Sequence, residues 1–199
     1  MRGHLAPLLV GGHMCGRYFA SDNLIGQLEK SGLMPDEEAL TFKGGEVFPS
    51  MKAPLVMSDG SVSLASWGLG LGNASSLVIN ARAEGILQKK FFQRALKTRI
   101  LIPMTYFYEW DREGFRHKFY LPGDFFYIGG LMDTGKDGKA FTMVTKAANE
   151  SMEKVHHRMP LIIKEENIGL WLSEDFSQVF DLAMPEVDMD SDASQLSLF

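Results

Sequence analysis

The chain is dominated by short runs of aromatic and β-branched residues, which turn signals separate from one another. Four of these runs are RILIP (99–103), TYFYEW (105–110), FRHKFYL (115–121) and FFYIGGLM (125–132). Residues of this kind favour strands, and an Asp-Gly pair between two apolar runs is typical of a hairpin, as at Asp59-Gly60 and Asp137-Gly138. Strands and helices do not alternate regularly. The sequence therefore predicts an α+β fold with mostly antiparallel strands.

Helical signals are fewer and shorter than strand signals. Ser21 or Asp22 can cap a short helix that ends at Gly32. Its apolar face would consist of Leu24, Ile25 and Leu28. Further helices are predicted over 84–97 and 149–155, and from about 164 to 172.

Length and composition indicate one domain with appended ends. With 199 residues, 45% of them hydrophobic, the chain can bury a substantial core. Residues 1–14 precede it, and we interpret them as a leader, an expression remnant or a misassigned start that is removed from the mature protein. The domain is predicted over 15–184. An acidic segment of small residues, expected to be flexible, then leads to the terminal peptide QLSLF, so that the tail spans 185–199.

Composition also excludes several classes of protein. No stretch reaches the roughly 18 to 20 apolar residues of a membrane span, which favours a cytoplasmic location. A net charge of −5 argues against broad, non-specific binding of polyanions, although a local basic site is compatible with it. No metal or cofactor is expected, because the sequence contains neither CxxC nor HExxH nor a phosphate-binding glycine loop.

Cys15, in MCGRY (14–18), is the single cysteine of the chain. A lone cysteine is usually a buried structural residue, and that interpretation stays open. The alternative is a reactive thiol: Gly16 would allow a substrate to approach closely, while Arg17 would favour a thiolate and bind phosphate.

Two further motifs carry polar residues in apolar surroundings. In INARAE (79–84), Asn80 is either a turn residue or a substrate contact, and Arg82 is a candidate phosphate ligand. In LIPMTYFYEW (101–110), Glu109 either faces solvent in an alternating strand or is a buried acid or base with a raised pKa.

The motif VHHRMP (155–160) offers the third candidate group. Adjacent histidines in a strand point to opposite sides, so His156 and His157 are not expected to share one role. One of them is a candidate acid or base near neutral pH, and Arg158 is a further candidate phosphate ligand.

Taken together, these motifs resemble the SOS response-associated peptidase (SRAP) family. The resemblance rests on M-C-G-R-Y, W-G-L (67–69), I-N-A-R-A-E, I-P-x-x-x-F-Y-E-W (102–110) and H-x-R-M-P (156–160), and it covers about 14–180. Members of this family shield abasic sites in DNA. The resemblance implies a barrel-like β-sheet core with short flanking helices, the SRAP fold.

The resemblance also implies a role for each candidate residue. After removal of the methionine, the amine of Cys15 would form a Schiff base with the aldehyde of an abasic site in single-stranded DNA, and its thiol would then close a thiazolidine. Asn80 would position the opened sugar, while Glu109 and His156 would exchange protons. Four residues would contact DNA: Arg17, Arg82, Arg158 and, by stacking or support, Trp67. This chemistry is lyase-like, whereas the family name denotes a peptidase.

The chain departs from the family pattern at two places. A segment that commonly reads N-x-A-P is Glu46-Val47-Phe48-Pro49 here, which puts a polar contact from that loop in doubt. Ile100 stands where a cysteine often precedes the I-P motif, a change that affects packing rather than mechanism.

The terminal peptide resembles the Q-L-x-L-F motif by which bacterial repair proteins bind the replicative sliding clamp. Gln195, Leu196, Leu198 and Phe199 would make that contact and bring a monomeric protein to replication forks. An incidental apolar terminus is the alternative. Two other functions also stay open: a cysteine peptidase acting on its own leader, and a non-catalytic binder of single-stranded DNA.

Overall fold

The computed structural model describes residues 15–71, 76–136 and 138–192. Its strands are β1 (Tyr18–Ala20), β2 (Met34–Pro35), β3 (Gly45–Val47), β4 (Lys52–Val56), β5 (Ser61–Trp67), β6 (Leu69–Gly70), β7 (Leu77–Val78), β8 (Asn80–Arg82), β9 (Arg99–Met104), β10 (Tyr106–Trp110), β11 (Arg116–Tyr120), β12 (Phe126–Gly135), β13 (Gly138–Ala147), β14 (Arg158–Pro160), β15 (Ile162–Ile163) and β16 (Asp188–Ser191). The α-helices are α1 (Leu24–Lys30), α2 (Ala83–Ile86) and α3 (Ile168–Leu172). Short 3₁₀ turns cover Ala39–Thr41, Lys90–Phe92, Ala95–Lys97, Glu165–Asn167 and Phe176–Asp181.

The larger sheet closes on itself. Its strands run in the order β13, β12, β9, β4 and β5, and β5 pairs back onto β13 through Phe141 opposite Trp67. All six residues of β9 are buried, as expected for a strand that lies between two others in a closed core. The predicted α+β fold with a mostly antiparallel, barrel-like core is therefore confirmed.

A second, five-stranded sheet has the order β16, β11, β10, β1, β3. Its residues alternate between two faces, as the strand period requires. The inner face contributes Phe107 and Phe119, whose rings stack at 5.4 Å and are fully buried. The outer face carries aromatic and charged side chains. This sheet holds both Cys15, just before β1, and Glu109, in β10.

The two hairpins predicted from Asp-Gly pairs are present. β4 and β5 pair antiparallel around Asp59-Gly60, and Gly60 has a φ of +81° that suits glycine. β12 and β13 also pair antiparallel, with Gly135 opposite Gly138. Asp137 lies outside the described residues.

The helix predictions are confirmed in part. α1 buries the three predicted apolar residues, and Gly32 follows it with a φ of +82°. Within the predicted 164–172, residues 165–172 are helical, as a 3₁₀ turn followed by α3. Over 84–97 the single predicted helix is wrong: α2 is followed by two separate 3₁₀ turns, each with its own buried side chains.

Residues 149–155 form turns rather than the predicted helix. The Asn149 side chain accepts a hydrogen bond from Ser151 Oγ at 2.7 Å and donates to the carbonyl of Pro185 at 2.8 Å. Short polar side chains that bond locally in this way compete with helix formation.

The acidic segment after residue 184 was expected to be flexible, but part of it is a strand. β16 pairs antiparallel with β11, so that Asp190 lies opposite Lys118. Aspartate has a low strand propensity, and ion pairs with β11 stabilise the strand in its place. Within the described ranges, no helix is long and apolar enough to cross a membrane.

Candidate active site

Cys15 and Glu109 are in direct contact at the edge of β1. The antiparallel pairing of β1 with β10 continues toward the chain start, where Tyr108 N donates to Arg17 O at 3.0 Å. One step further on, the Cys15 backbone nitrogen donates to Glu109 Oε1. Cys15 is 0% and Glu109 is 3% exposed. The thiol, the nitrogen beside it and the carboxyl group therefore share one desolvated site.

Burial changes the proton affinity of both side chains. It raises the pKa of Glu109 to about 8, against the opposing effect of hydrogen bonds from the Cys15 and Trp110 backbones. Burial, followed by the nearby Glu109 charge, raises the pKa of the Cys15 thiol well above its usual value. At neutral pH Glu109 thus holds a proton much of the time, and the thiol is not ionised.

The backbone of Cys15 is strained. Its φ is +44°, one of two positive values among the described non-glycine residues. A side chain at Cβ disfavours this region, and a residue held there stores about 1–3 kcal/mol. The strained residue is the one whose nitrogen and thiol lie beside Glu109.

Tyr18 is a site residue that the sequence analysis did not single out. Its hydroxyl is buried and has no hydrogen-bond partner among the described residues. Burial, together with the neighbouring Cys15, raises the pKa of Tyr18. The sequence indicates the burial of Tyr18 only through the alternation of residues along β1, which points its side chain toward the core.

Trp67 does not make the predicted contact with DNA. It is 0% exposed, its ring lies 5.4 Å from that of Tyr18, and its Nε1–H donates to the carbonyl of Ile79 at 2.9 Å. The prediction that this ring stacks on DNA is therefore wrong, since no face of it reaches solvent. Trp67 instead joins β1 to the residue that precedes Asn80.

Asn80 and Arg82 lie on β8, which pairs with β13 in parallel. Asn80 is half-buried, and Arg82 is exposed. Arg82 forms no ion pair with any residue that the structure describes, and its contact with a phosphate stays a prediction.

Arg17 is held between two aromatic rings. Its guanidinium carbon lies 4.6 Å from the Phe48 ring centre and 5.2 Å from that of Trp110. One guanidinium nitrogen is 3.7 Å from the Glu46 carboxylate. The segment that departs from the family pattern thus supplies an aromatic and an acidic contact to this arginine.

Arg158 has a structural role. It is 9% exposed, its two terminal nitrogens bind the Glu84 carboxylate at 2.5 and 2.9 Å, and one also donates to the carbonyl of Thr145 at 2.7 Å. The predicted phosphate contact is therefore wrong for this conformation, because a carboxylate already occupies the guanidinium.

His156 lines a cleft of about 630 Å³ together with Trp110 and Asp111. Its Nδ1 accepts a hydrogen bond from Arg158 N at 3.1 Å, and burial lowers its pKa. The His156 and His157 rings stack at 4.5 Å, contrary to the prediction that they diverge. The reason is that β14 begins only at Arg158, so these residues do not alternate as in a strand.

A second pair that the sequence analysis missed lies beside Glu109. His117 is directly opposite Glu109 in the register of β10 with β11. Its Nε2 is 2.8 Å from the carboxylate of Asp111, which lines the same cleft as His156. A His-Asp pair thus connects the buried surroundings of Glu109 with the cleft.

The structure brings the predicted residues together to different degrees. Cys15 and Glu109 touch, and His156 lies in the cleft next to Trp110. Trp67 connects Ile79, the residue before Asn80, with Tyr18 of β1. Among the described residues, no group of three or more His, Cys, Asp or Glu is arranged to hold a metal. The four predicted clamp-binding residues lie outside the described residues.

The fold and site define a barrel-based protein in which a cysteine nitrogen, its thiol and a carboxyl group with a raised pKa share one buried site. Residues 14–195 match the family described as SOS response associated peptidase (SRAP). The chain therefore belongs to the SRAP family.

Curated relatives and solved structures agree with this assignment. The chain is 31% identical to the abasic site processing protein YoaM of Bacillus subtilis, over 92% of this chain and 91% of that protein. It is also 31% identical to the abasic site processing protein YoqW of the same organism, over 92% of each chain. A crystal structure of a Bacteroides thetaiotaomicron protein shares the fold, with a TM-score of 0.75 and 22% identity over 89% of this chain and 91% of that one.

Proposed function

We propose that this protein processes abasic sites in single-stranded DNA by linking itself covalently to the lesion through Cys15. The observation that carries the proposal is the contact between the Cys15 nitrogen and Glu109 in a buried site. The names of the curated relatives support the substrate, since both are abasic site processing proteins.

The chemistry requires a free amine on Cys15. In the chain as written that nitrogen is an amide, which cannot form an imine with an aldehyde. We therefore infer that the Met14–Cys15 bond is cut first. Cleavage also removes the carbonyl that defines φ at Cys15, so the strain of that torsion disappears with the bond.

The first step joins the amine to the aldehyde of the ring-opened sugar. The ionised form of Glu109 accepts a proton from the Cys15 ammonium, and the neutral amine adds to the aldehyde carbon. The hydroxyl of the resulting carbinolamine leaves as water with the proton of Glu109, and the nitrogen then gives its N–H proton to Glu109, which leaves the neutral Schiff base. Because Glu109 is hydrogen-bonded to this nitrogen, a proton can pass directly between the two groups.

The second step closes the ring. The Cys15 sulfur adds to the imine carbon while the thiol proton passes to the imine nitrogen, giving a thiazolidine. Overall one amine, one thiol and one aldehyde give one ring and one water. Because burial keeps the thiol protonated, it supplies that proton itself.

The surrounding residues would bind and orient the strand. Asn80 would position the opened sugar, Arg82 would bind a phosphate, and Arg17 would contribute positive charge next to Trp110. His156 would act as acid or base at the cleft wall, in its neutral form at pH 7 because burial lowers its pKa.

The same contact supports a second candidate, self-cleavage of the leader. The Cys15 nitrogen is the leaving group of the Met14–Cys15 bond, and Glu109 is hydrogen-bonded to it. In this hydrolysis water would add to the Met14 carbonyl carbon, and a protonated Glu109 would donate to the nitrogen as the C–N bond breaks, which leaves a carboxylate on Met14 and an amine on Cys15. Incubation of purified full-length chain, followed by intact mass, tests this step. Loss of residues 1–14 in the wild type but not in Glu109→Gln would support it, and identical masses would contradict it.

Covalent capture tests the main proposal. Protein that begins at Cys15 is incubated with an oligonucleotide carrying one abasic site and with the same oligonucleotide undamaged, and heat-stable adducts are counted. We expect adducts only with the abasic strand, none from Cys15→Ala, and an additional mass equal to the DNA minus one water. Absence of any adduct from correctly processed wild type would refute the proposal.

Docking on the sliding clamp by Gln195–Phe199 stays a prediction about the tail. Deletion of these five residues should abolish binding to the bacterial clamp while leaving adduct yield unchanged. Equal clamp affinity with and without them would contradict the prediction.

A further inference from the structure

The outer face of the five-stranded sheet combines aromatic rings with cations. We call it the aromatic–cationic face; it consists of Arg17, Phe19, Tyr106, Tyr108, Trp110, Arg116, Lys118 and Tyr120. Strand alternation gives these residues one side of the sheet, opposite the buried Phe107 and Phe119. Trp110, 37% exposed, also lines the cleft of His156, so this face adjoins the candidate active site.

Each cation on this face lies over a ring. The Arg116 guanidinium is 4.8 Å from the centre of Tyr108, and the Lys118 ammonium is 4.7 Å from Tyr106 and 4.9 Å from Tyr120. Such contacts hold long side chains in place, which lowers the entropy lost when they bind an anion. Rings and cations together are the elements that bind single-stranded nucleic acids without regard to sequence.

Aspartates of β16 and of the residue that follows it pair with two of the three cations of this face, whereas Arg17 pairs with Glu46. Asp190 lies 3.4 Å from the Lys118 ammonium and accepts a hydrogen bond from the Tyr120 hydroxyl at 3.3 Å. Asp192 lies 3.1 Å from the Arg116 guanidinium. Carboxylates at every second position of a strand are about 6.8 Å apart, comparable to the phosphates of an extended DNA strand.

We infer that the aromatic–cationic face binds the phosphate backbone of single-stranded DNA beside the lesion, and that Asp190 and Asp192 occupy this surface in competition with the DNA. The inference rests on the proposed function for its choice of polyanion. It adds a second contact surface, outside the cleft, whose availability is set by the protein's own carboxylates. The ion pairs are exposed, so that DNA can exchange with them at little cost.

The test is the affinity for undamaged single-stranded DNA, measured by fluorescence anisotropy on the full chain. The variant Asp188→Asn, Asp190→Asn, Asp192→Asn uncovers the cations and keeps the backbone pairing of β16. We expect roughly tenfold tighter binding. The slope of the logarithm of the binding constant against the logarithm of the salt concentration should also become steeper by about 1.4, the value for two additional phosphate contacts on a single strand.

A matched control separates local from global charge. Glu29→Gln, Glu37→Gln, Asp175→Asn changes the net charge equally at exposed positions away from this face. The inference is refuted if both triple variants gain the same affinity for DNA. It is also refuted if the first triple variant keeps its gain in affinity when Arg116→Gln and Lys118→Gln are added to it. Asp→Glu at positions 188, 190 and 192 keeps the charge and should leave the affinity at the wild-type value.

The same proteins distinguish this inference from the proposed function. If wild type with a free Cys15 forms no adduct with abasic DNA, the proposed function fails, whereas the anisotropy result on undamaged DNA stands by itself. If adducts form normally but uncovering the cations changes no affinity, only the aromatic–cationic face fails.

Discussion

Replacement of Glu109 by Gln should change how the stability of the unprocessed chain depends on pH. Burial raises the pKa of this carboxyl from its ordinary 4.5 to about 8 in the folded protein. Below pH 4.5 the side chain is protonated in both the folded and the unfolded chain, so its raised pKa does not lower the free energy of unfolding. Between these values the unfolded chain loses the proton and the folded chain keeps it, so the free energy of unfolding falls as the pH rises. Above about 8 the loss is complete.

The magnitude follows from the size of the shift. A displacement of about 3.5 pH units at about 1.4 kcal/mol each corresponds to about 5 kcal/mol. That is a large part of the 5–15 kcal/mol typical of a domain. Gln retains an oxygen that accepts the Cys15 N–H and has no charge to desolvate, so the variant should escape this loss.

Urea unfolding of both proteins from pH 4.5 to 9 measures the effect. The variant's advantage should grow through this range and level off above pH 8, while groups common to both proteins cancel. Glu37→Gln, at an exposed position, should show no such growth. Parallel profiles for wild type and Glu109→Gln would refute the assignment of a raised pKa to this carboxyl group.

Three further predictions concern neighbouring residues. Arg158→Met should lower the free energy of unfolding by about 2 kcal/mol, because it removes the bonds to Glu84 and Thr145. The control Arg82→Met should change it by less than about 0.5 kcal/mol. Equal losses of stability in urea unfolding would contradict the structural role of Arg158. Trp67→Phe should lower the free energy of unfolding by about 2 kcal/mol, because the hydrogen bond to Ile79 is lost. It should leave the affinity for undamaged DNA, measured by anisotropy, unchanged. A loss of affinity with no loss of stability would instead support the stacking role. The buried Cys15 thiol of the unprocessed chain should react with iodoacetamide at pH 8 about 100-fold more slowly in the folded than in the urea-unfolded protein, and similar rates would show that the thiol is accessible.

The strands were predictable because their cause is local. β9 to β12 consist of aromatic and β-branched residues, and the β4–β5 turn contains Asp59-Gly60, a pair that suits few other structures. β16 was missed for the opposite reason. Aspartate has low strand propensity, and Asp190 is held by Lys118, 72 positions earlier in the chain.

The same distinction separates the site residues. Glu109 could be recognised as a candidate because its apolar neighbours adjoin it in the sequence. Arg158 could not be recognised as structural, because its partner Glu84 lies 74 positions away. Trp67 is ambiguous in the sequence, since the same ring serves either a core or a base-stacking surface. The alternation argument failed for His156 because β14 begins two residues later.

The setting of Cys15 between β10 and the core has a consequence for the speed of capture. Chain ends are ordinarily the most mobile part of a domain. In this structure Cys15 is instead fully buried and only two residues separate it from β1, which is paired on both sides with β10 and β3. We expect Cys15 to keep this place as the terminal residue of the processed protein. The conformational search that a loose terminus would repeat at every encounter with an aldehyde is thereby completed once, during folding. Reactivity toward a lesion then depends on how fast DNA delivers the aldehyde, not on how often the nucleophile finds its position.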